Sequence, residues 1–304
     1  DSDTDTDADT DTGFDCSALP ASPLGFEIVE GPITGEDFAF DDAGNLIGMS
    51  QYSLFKSPRG GAPTLWVQNA DCASGLRALP SGEIVCSNGA NSLYLFGLDG
   101  ARTTLLSNLQ YPNGIEVDLD GFAYVSQQDA GVVTKVDPHT GETWTIATDL
   151  DAPNGLTFSP DYRTLYVGSF CGDGGMSGSG LGKIYEIPFD EAGNPGEWSV
   201  FLGLDAPAAI EASMTGCFDG MGVDICGNVY VNDYGITRVY RIAPDASTVE
   251  TLVDLAAPSD WIPNMQWGAG VGGWDQNALY VADMGQNQVY EIPVGVPGKQ
   301  RMYP

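Results

Sequence analysis

Short runs in which apolar and small residues alternate recur along the whole chain, and helical spacing is absent from them. Six segments follow one plan. A polar residue opens each, an alternating strand follows, then a turn of the Asp-x-x-Gly kind, then a second strand ending in Tyr-Val or similar. They are GEDFAFDDAGNLIG from Gly35, SGLRALPSGEIVCS from Ser74, NGIEVDLDGFAYVS from Asn113, NGLTFSPDYRTLYVG from Asn154, DGMGVDICGNVYVND from Asp219 and NMQWGAGVGGWDQNALYVAD from Asn264. A third strand of the Val-Tyr-x-Ile type comes later, as SLYLF, VVTKV, KIYEI, RVYRI and QVYEI. The opening polar residues are Glu36, Ser74, Asn113, Asn154, Asp219 and Asn264, separated by 38, 39, 41, 65 and 45 residues. A period of about 40–45 residues with four short strands per unit predicts an all-β, six-bladed β-propeller with four-stranded blades. The long fourth interval holds a glycine-rich insertion at 171–182. The strand Phe26–Val29 precedes the first repeat and is expected to complete the last blade, closing the ring.

The repeat also predicts a site. The first strand of each propeller blade lines the central tunnel, so its opening residue faces the tunnel mouth at the same level in every blade. Two carboxylates (Glu36, Asp219), three amides (Asn113, Asn154, Asn264) and Ser74 then converge on one axis. Calcium takes six to eight such oxygens, and two carboxylates balance its charge. Asn before Gly is common in turns for backbone reasons alone, but a turn does not call for Glu36 and Asp219 in the same register.

Composition narrows the partners. The 304 residues carry 42 acidic against 11 basic side chains, a net charge of -31. That balance excludes a nucleic-acid footprint, and no stretch approaches the roughly 20 apolar residues of a membrane span. Residues 1–12 read DSDTDTDADTDT. This tract has nothing apolar to bury, and it lacks the internal Gly and distal Glu of an EF-type loop. It reads as a linker, so residues 1–23 are expected to be an acidic tail and 24–304 the propeller, with self-assembly through the tail as a further expectation. Six cysteines without a C-x-x-C pair fit disulfides in an oxidising compartment. The chain is therefore expected to be a processed, exported form, periplasmic, cell-surface or extracellular. Strand accounting puts Cys171 and Cys217 on one face and Cys72 and Cys86 around the second blade. Cys16 and Cys226 remain as the third pair.

The phrases YPNGIEVDLDG, APNGLTFSPDYRTLYVG and FDGMGVDICGNVYV resemble the senescence marker protein/gluconolactonase family, whose superfamily includes diisopropyl fluorophosphatase and the paraoxonases. The resemblance covers most of residues 35–290. It implies a catalytic calcium, or another divalent cation, held by a blade-one Glu together with Asn113, Asn154 and Asp219. Glu30-Gly31-Pro32 matches the family's E-G-P text. Glu36, however, lies 10 residues before Leu46, the spacing that Asn113, Asn154 and Asp219 keep in their own blades, and GEDFAF is similar to the paraoxonase form. Glu36 is preferred. Asp37 is a candidate for a second, deeper calcium and Asn264 a further ligand.

What the resemblance implies is hydrolysis of lactones or related esters, with Asp219 as base or nucleophile. Glu36, Asn113 and Asn154 complete the catalytic set. The paraoxonase histidine pair is missing: His139 is the single His and sits in a DPHTGE turn. No basic residue flanks Asn113, where Leu109 and Tyr111 stand, which favours a less charged substrate. Gln51, Tyr52, Gln127, Gln128, Asp129, Phe170, Asp233, Tyr234 and Trp261 are expected at the rim. The rival reading is a non-catalytic secreted propeller, a binding module or subunit of an extracellular assembly with structural calcium.

Overall fold

The structure is a computed structural model and describes residues 14–171, 182–203, 214–259 and 261–299. Twenty-four strands form six antiparallel sheets of four. The sheets are the blades of a propeller. The inner strands are Phe38–Phe40, Leu76–Ala78, Pro112–Val117, Pro153–Phe158, Phe218–Val223 and Met265–Trp267. In each blade the chain steps outward strand by strand. The sixth blade differs, because its outermost strand is Glu27–Glu30 from the start of the chain, paired with Gln288–Ile292. The ring is therefore closed by hydrogen bonds between the two ends of the fold, and it has no free edge at the seam.

The turn between inner and second strands explains much of the acidic composition. Asp41 accepts hydrogen bonds from the Ala43 and Asn45 backbone N–H groups. Asp118 does the same for Asp120 and Phe122, and Asp224 for Cys226 and Asn228. These carboxylates replace backbone acceptors that a two-strand turn cannot supply. Asp41 and Asp118 also meet Lys56 and Lys135 from the third strand of their own blades. Apolar residues fill the interfaces between blades. Examples are Tyr230, Leu252, Met265 and Trp267 between the fifth and sixth, and Phe38, Phe40, Trp274 and Tyr280 between the sixth and first.

Disulfides join Cys16–Cys226, Cys72–Cys86 and Cys171–Cys217. The first ties the segment ahead of the closing strand to a turn on the face opposite the tunnel mouth. The C-terminal segment crosses that same face: Gly298 bridges to Asp224, the Lys299 N–H donates to Val223 O, and Gly298 packs on Trp267.

Glycines after the polar residues set how closely the inner strands approach. A β-carbon on Gly114 would lie 2.2 Å from Asn154 O, and one on Gly155 would lie 1.9 Å from Asp219 O. Gly75 and Gly220 are pressed in the same way against Asn113 and Asn264. Gly155→Ala should therefore cost about 3 kcal/mol, while Gly25→Ala, with nothing within 4 Å, should leave stability unchanged. Thermal unfolding of the two variants checks this; an unaffected Gly155→Ala would refute the close-contact account.

Candidate functional site

The six opening residues lie at one mouth of the tunnel. In blades three, four and five the polar residue does not precede the inner strand, as the pattern suggested, but sits inside it at a β-bulge. The pairing register shifts between Pro112 and Ile115, between Pro153 and Leu156, and between Phe218 and Met221. A bulge turns one side chain out of the pleat. Here it turns Asn113, Asn154 and Asp219 toward the axis, and the following glycine admits the next blade. In blades one, two and six, Glu36, Ser74 and Asn264 stand just before the strand. Asn264 Oδ1 accepts the Met265 N–H at 2.8 Å.

Second strands brace the ring. The buried Ser87 hydroxyl donates to Asn113 O at 2.8 Å, and the Ser126 hydroxyl to Asn154 O at 2.7 Å, each one blade across. Asn232 Nδ2 donates to Ile262 O at 3.0 Å. Asn113 Nδ2 donates to Gln128 Oε1 at 3.2 Å, leaving its own amide oxygen for another partner. The Ser87 and Ser126 braces were not read from the sequence. Their signal is a small hydroxyl residue near the end of a second strand, after its apolar run.

Glu30 lies four strands from the tunnel, on the exposed outer edge of blade six opposite Gln288. Glu36 is at the mouth and hydrogen-bonds with Ser74. Asp219 is 6 % exposed and hydrogen-bonds with Asn154. None of the ion pairs among the described residues includes Glu36 or Asp219. Their electrostatics follow. Burial pushes the Glu36 carboxyl up to about 8, the Ser74 hydrogen bond opposes the rise and the charge of Asp37 adds to it. Burial, and then the charges of Glu36 and Asp37, push the Asp219 carboxyl well above the usual range against the Asn154 hydrogen bond. Two carboxylates forced together in a dry site without a cation cannot both ionise easily.

The mouth is walled by aromatic side chains. Burial and the charges of Glu36, Asp219 and Asp129 raise the Tyr111 phenol, and burial with Asp219 and Glu36 pushes Tyr234 up to about 12. Both stay protonated hydrogen-bond donors. Phe170 meets Tyr234 edge-on at 5.6 Å, beside the Cys171–Cys217 disulfide. Tyr52 and Trp261 are exposed on the same face, and the Trp261 carbonyl accepts the Met284 N–H. Asp233 is different from the rim residue expected of it. It is fully buried and its carboxylate receives the N–H groups of Thr215 and Gly216, so it anchors the chain just ahead of Asp219. Gln127 is turned to Thr134 within its own blade. His139 is exposed in its turn, with Glu83 3.9 Å away. The glycine-rich stretch 172–181 and the tail 1–13 lie outside the described residues.

Below the mouth, Asp37 is held by Arg77, and Glu116 by Lys299. Neither Arg77, Glu116 nor Lys299 was singled out from the sequence. The available signal for Arg77 and Glu116 was a charged residue inside an inner strand, in LRA and PNGIEV; Lys299, beyond the last strand, had none.

A family model described as SMP-30/Gluconolactonase/LRE-like region matches residues 121–285, more than half of the chain. The chain belongs to this family. A stretch of 105 residues, 34% of the chain, is 31% identical to lactonohydrolase oryH of Aspergillus oryzae (strain ATCC 42149 / RIB 40). That stretch spans 19% of the fungal protein, about a fifth of its length. Among solved structures, a gluconolactonase from Xanthomonas campestris superposes with a TM-score of 0.67 at 17% identity, covering 92% of this chain and 96% of that one. A calcium-binding regucalcin from Agrobacterium tumefaciens gives 0.68 at 17% identity, covering 93% and 97%. An auxiliary nutrient binding protein from Bacteroides ovatus gives 0.65 at 14% identity, covering 90% and 76%. At these identities the likeness is one of fold.

The raised carboxyls imply a pH response with a definite sign. A carboxyl whose pKa is higher folded than unfolded binds its proton more tightly in the folded state, so stability is lost as pH rises through the folded value. Glu36 rises from 4.5 to about 8 and Asp37 from 3.8 to about 6. In EDTA the melting temperature should therefore fall between about pH 5 and about pH 8, and Glu36→Gln should flatten the slope. A Tm that rises or stays level over that window in the parent chain would contradict the assignment.

Proposed function

We propose that the chain is a divalent-metal-dependent, most simply calcium-dependent, hydrolase of lactones or related esters, working at the tunnel mouth. The observation that carries this is the pairing of Glu36 with Asp219: a half-buried and a buried carboxylate close enough for their charges to act on each other, neither in an ion pair among the described residues, with Asn154 hydrogen-bonded to Asp219. Hard oxygen donors of that number and charge suit calcium. The fit is supported by the neighbouring charges, since each of the two carboxylates lies within the field of another carboxylate. Glu36, Asn113, Asn154 and Asp219 would hold the ion. Bound there, it supplies Lewis acidity to a substrate carbonyl oxygen and charge for the oxyanion that forms.

The chain's own groups do the rest. Asp219, oriented by Asn154, takes a proton from the attacking water, or attacks the carbonyl itself. Tyr111 and Tyr234, kept protonated, donate hydrogen bonds to substrate oxygens at the mouth. Phe170, Tyr52 and Trp261 offer apolar surface to the substrate's ring or side chain. No Lys or Arg was found beside Asn113, which favours an uncharged lactone or ester over one bearing an acid group. The three disulfides fit an oxidising compartment, so export is part of the same proposal, and self-association through the acidic tail is a separate element of it.

A second reading has one observation behind it. The Bacteroides ovatus relative in fold is a nutrient binding protein, so the same mouth could hold a ligand without turning it over. The test is hydrolysis of a panel of γ- and δ-lactones and aryl esters with calcium and with EDTA. Turnover should require the ion, and Asp219→Asn and Glu36→Gln should each lower kcat/KM by about 10²-fold or more. No turnover by the parent chain on any substrate, with ligand binding intact, would favour the binding module.

A further inference from the structure

Glu36 and Asp37 are adjacent in sequence but have opposite charge environments. Asp37 is 1 % exposed and fully engaged. Its Oδ1 accepts the Phe38 N–H at 2.7 Å, and its Oδ2 accepts the Leu76 N–H at 2.8 Å and Arg77 Nη1 at 2.6 Å. Arg77 Nη1 also donates to Leu76 O at 2.8 Å, which fixes the guanidinium against the neighbouring inner strand. Arg77 in turn lies close enough to Glu116 to help hold that buried carboxyl below its ordinary value; burial works against this, and Lys299 is the larger favourable partner. Lys299 completes the series by pairing with Glu116 and donating to Thr157 Oγ1 at 2.9 Å.

Blades one, two and three and the C-terminal segment thus contribute Asp37, Arg77, Glu116 and Lys299, charges of alternating sign that sum to zero. They run from behind the mouth to the far opening, where Arg77, Glu116 and Lys299 line a cavity of about 440 Å³. At the mouth the sum is different. Glu36 and Asp219 together leave two negative charges with no cationic side chain among the ion pairs of the described residues. One divalent ion balances them. A second ion at Asp37 would have to take the place of a guanidinium already at hydrogen-bond distance, against its like charge.

We infer that Arg77 is the built-in counter-ion of Asp37, and that the tunnel consequently takes one divalent cation per chain, at the mouth, and excludes a second from the deeper position. This rests on the metal reading of Glu36, Asn113, Asn154 and Asp219 proposed above. It replaces the second calcium suggested for Asp37 by a fixed side-chain cation.

The experiment is calcium binding to the EDTA-stripped full chain by equilibrium dialysis and calorimetry, with no substrate present. The parent chain should bind one ion. Asp37→Asn should still bind one, with affinity within about threefold, while Glu36→Gln should lose it. Two ions in the parent chain, one of them lost in Asp37→Asn, would overturn this inference and leave the mouth reading standing. No binding by the parent chain would overturn the mouth reading, and the one-ion count with it. A second measurement needs no metal. In EDTA, Arg77→Met leaves the Asp37 charge buried and unpaired, so its melting temperature should fall, and adding Asp37→Asn should recover part of the loss. An Arg77→Met chain that melts with the parent, or a double variant that melts at the sum of two independent losses, would show that Arg77 is not the counter-ion.

Discussion

In three blades a glycine that follows the polar residue meets the next blade, and the carbonyl of that blade's polar residue occupies the space where a β-carbon would be; Gly220 instead meets the Cα and Oδ1 of Asn264. This backbone contact is the constraint on which the mouth depends. It brings Asn113, Asn154, Asp219 and Asn264 to one level and spaces them by the thickness of a backbone. The bulges in blades three to five follow from the same packing, since a regular pleat would alternate Asn113, Asn154 and Asp219 with their glycines across the sheet. Ser87 and Ser126 then hold two of the contacting carbonyls from behind. The amides and carboxylates at the mouth are thus fixed by groups that are themselves hydrogen-bonded, which keeps ligand positions set before any ligand arrives.

That rigidity has an electrostatic consequence. A flexible pair of carboxylates would separate or turn to water; Glu36 and Asp219 have no such freedom, and they stay unfavourable neighbours until an opposite charge joins them. The chain solves the same problem differently one layer down, where Asp37 and Glu116 each receive a side-chain cation. Permanent counter-ions thus stand behind the mouth, while no ion pair among the described residues includes Glu36 or Asp219. The acidic exterior is a separate matter. Most of those carboxylates complete turns or lie in the tail, and they bear on solubility and not on the site.

The blades were legible because each repeats a local pattern: alternation, a turn with Asp and Gly, and an aromatic near the end of the second strand. The ring residues were legible for the same reason, since Asn113, Asn154 and Asp219 occupy equivalent places in consecutive repeats. Spacing also separated Glu36 from Glu30, whose neighbouring Gly-Pro is the more conspicuous text. What the sequence did not disclose are contacts between blades. Arg77 reaches Asp37 across 40 residues, and Lys299 reaches Glu116 across 183. Neither partner carries a local sign of the other, because the tunnel that joins them exists only once the ring is closed. Asp233 misled for a related reason: its place at the end of a second strand implies the rim, but its carboxylate is used by the Thr215–Gly216 backbone.

Ring closure itself divides the labour between the two faces. A propeller has one seam, and here the closing strand Glu27–Glu30 is reinforced by the Cys16–Cys226 disulfide and by the C-terminal segment lying across Asp224, Trp267 and the Glu116 carboxylate. All of these fastenings lie on the face away from the mouth or on the outer edge of blade six. The mouth is built from strand ends and the loops between strands, with the Cys171–Cys217 disulfide set beside Asp219 and Cys72–Cys86 beside Ser74. The seam is thus fastened from the far side, while these two disulfides hold segments at the mouth itself.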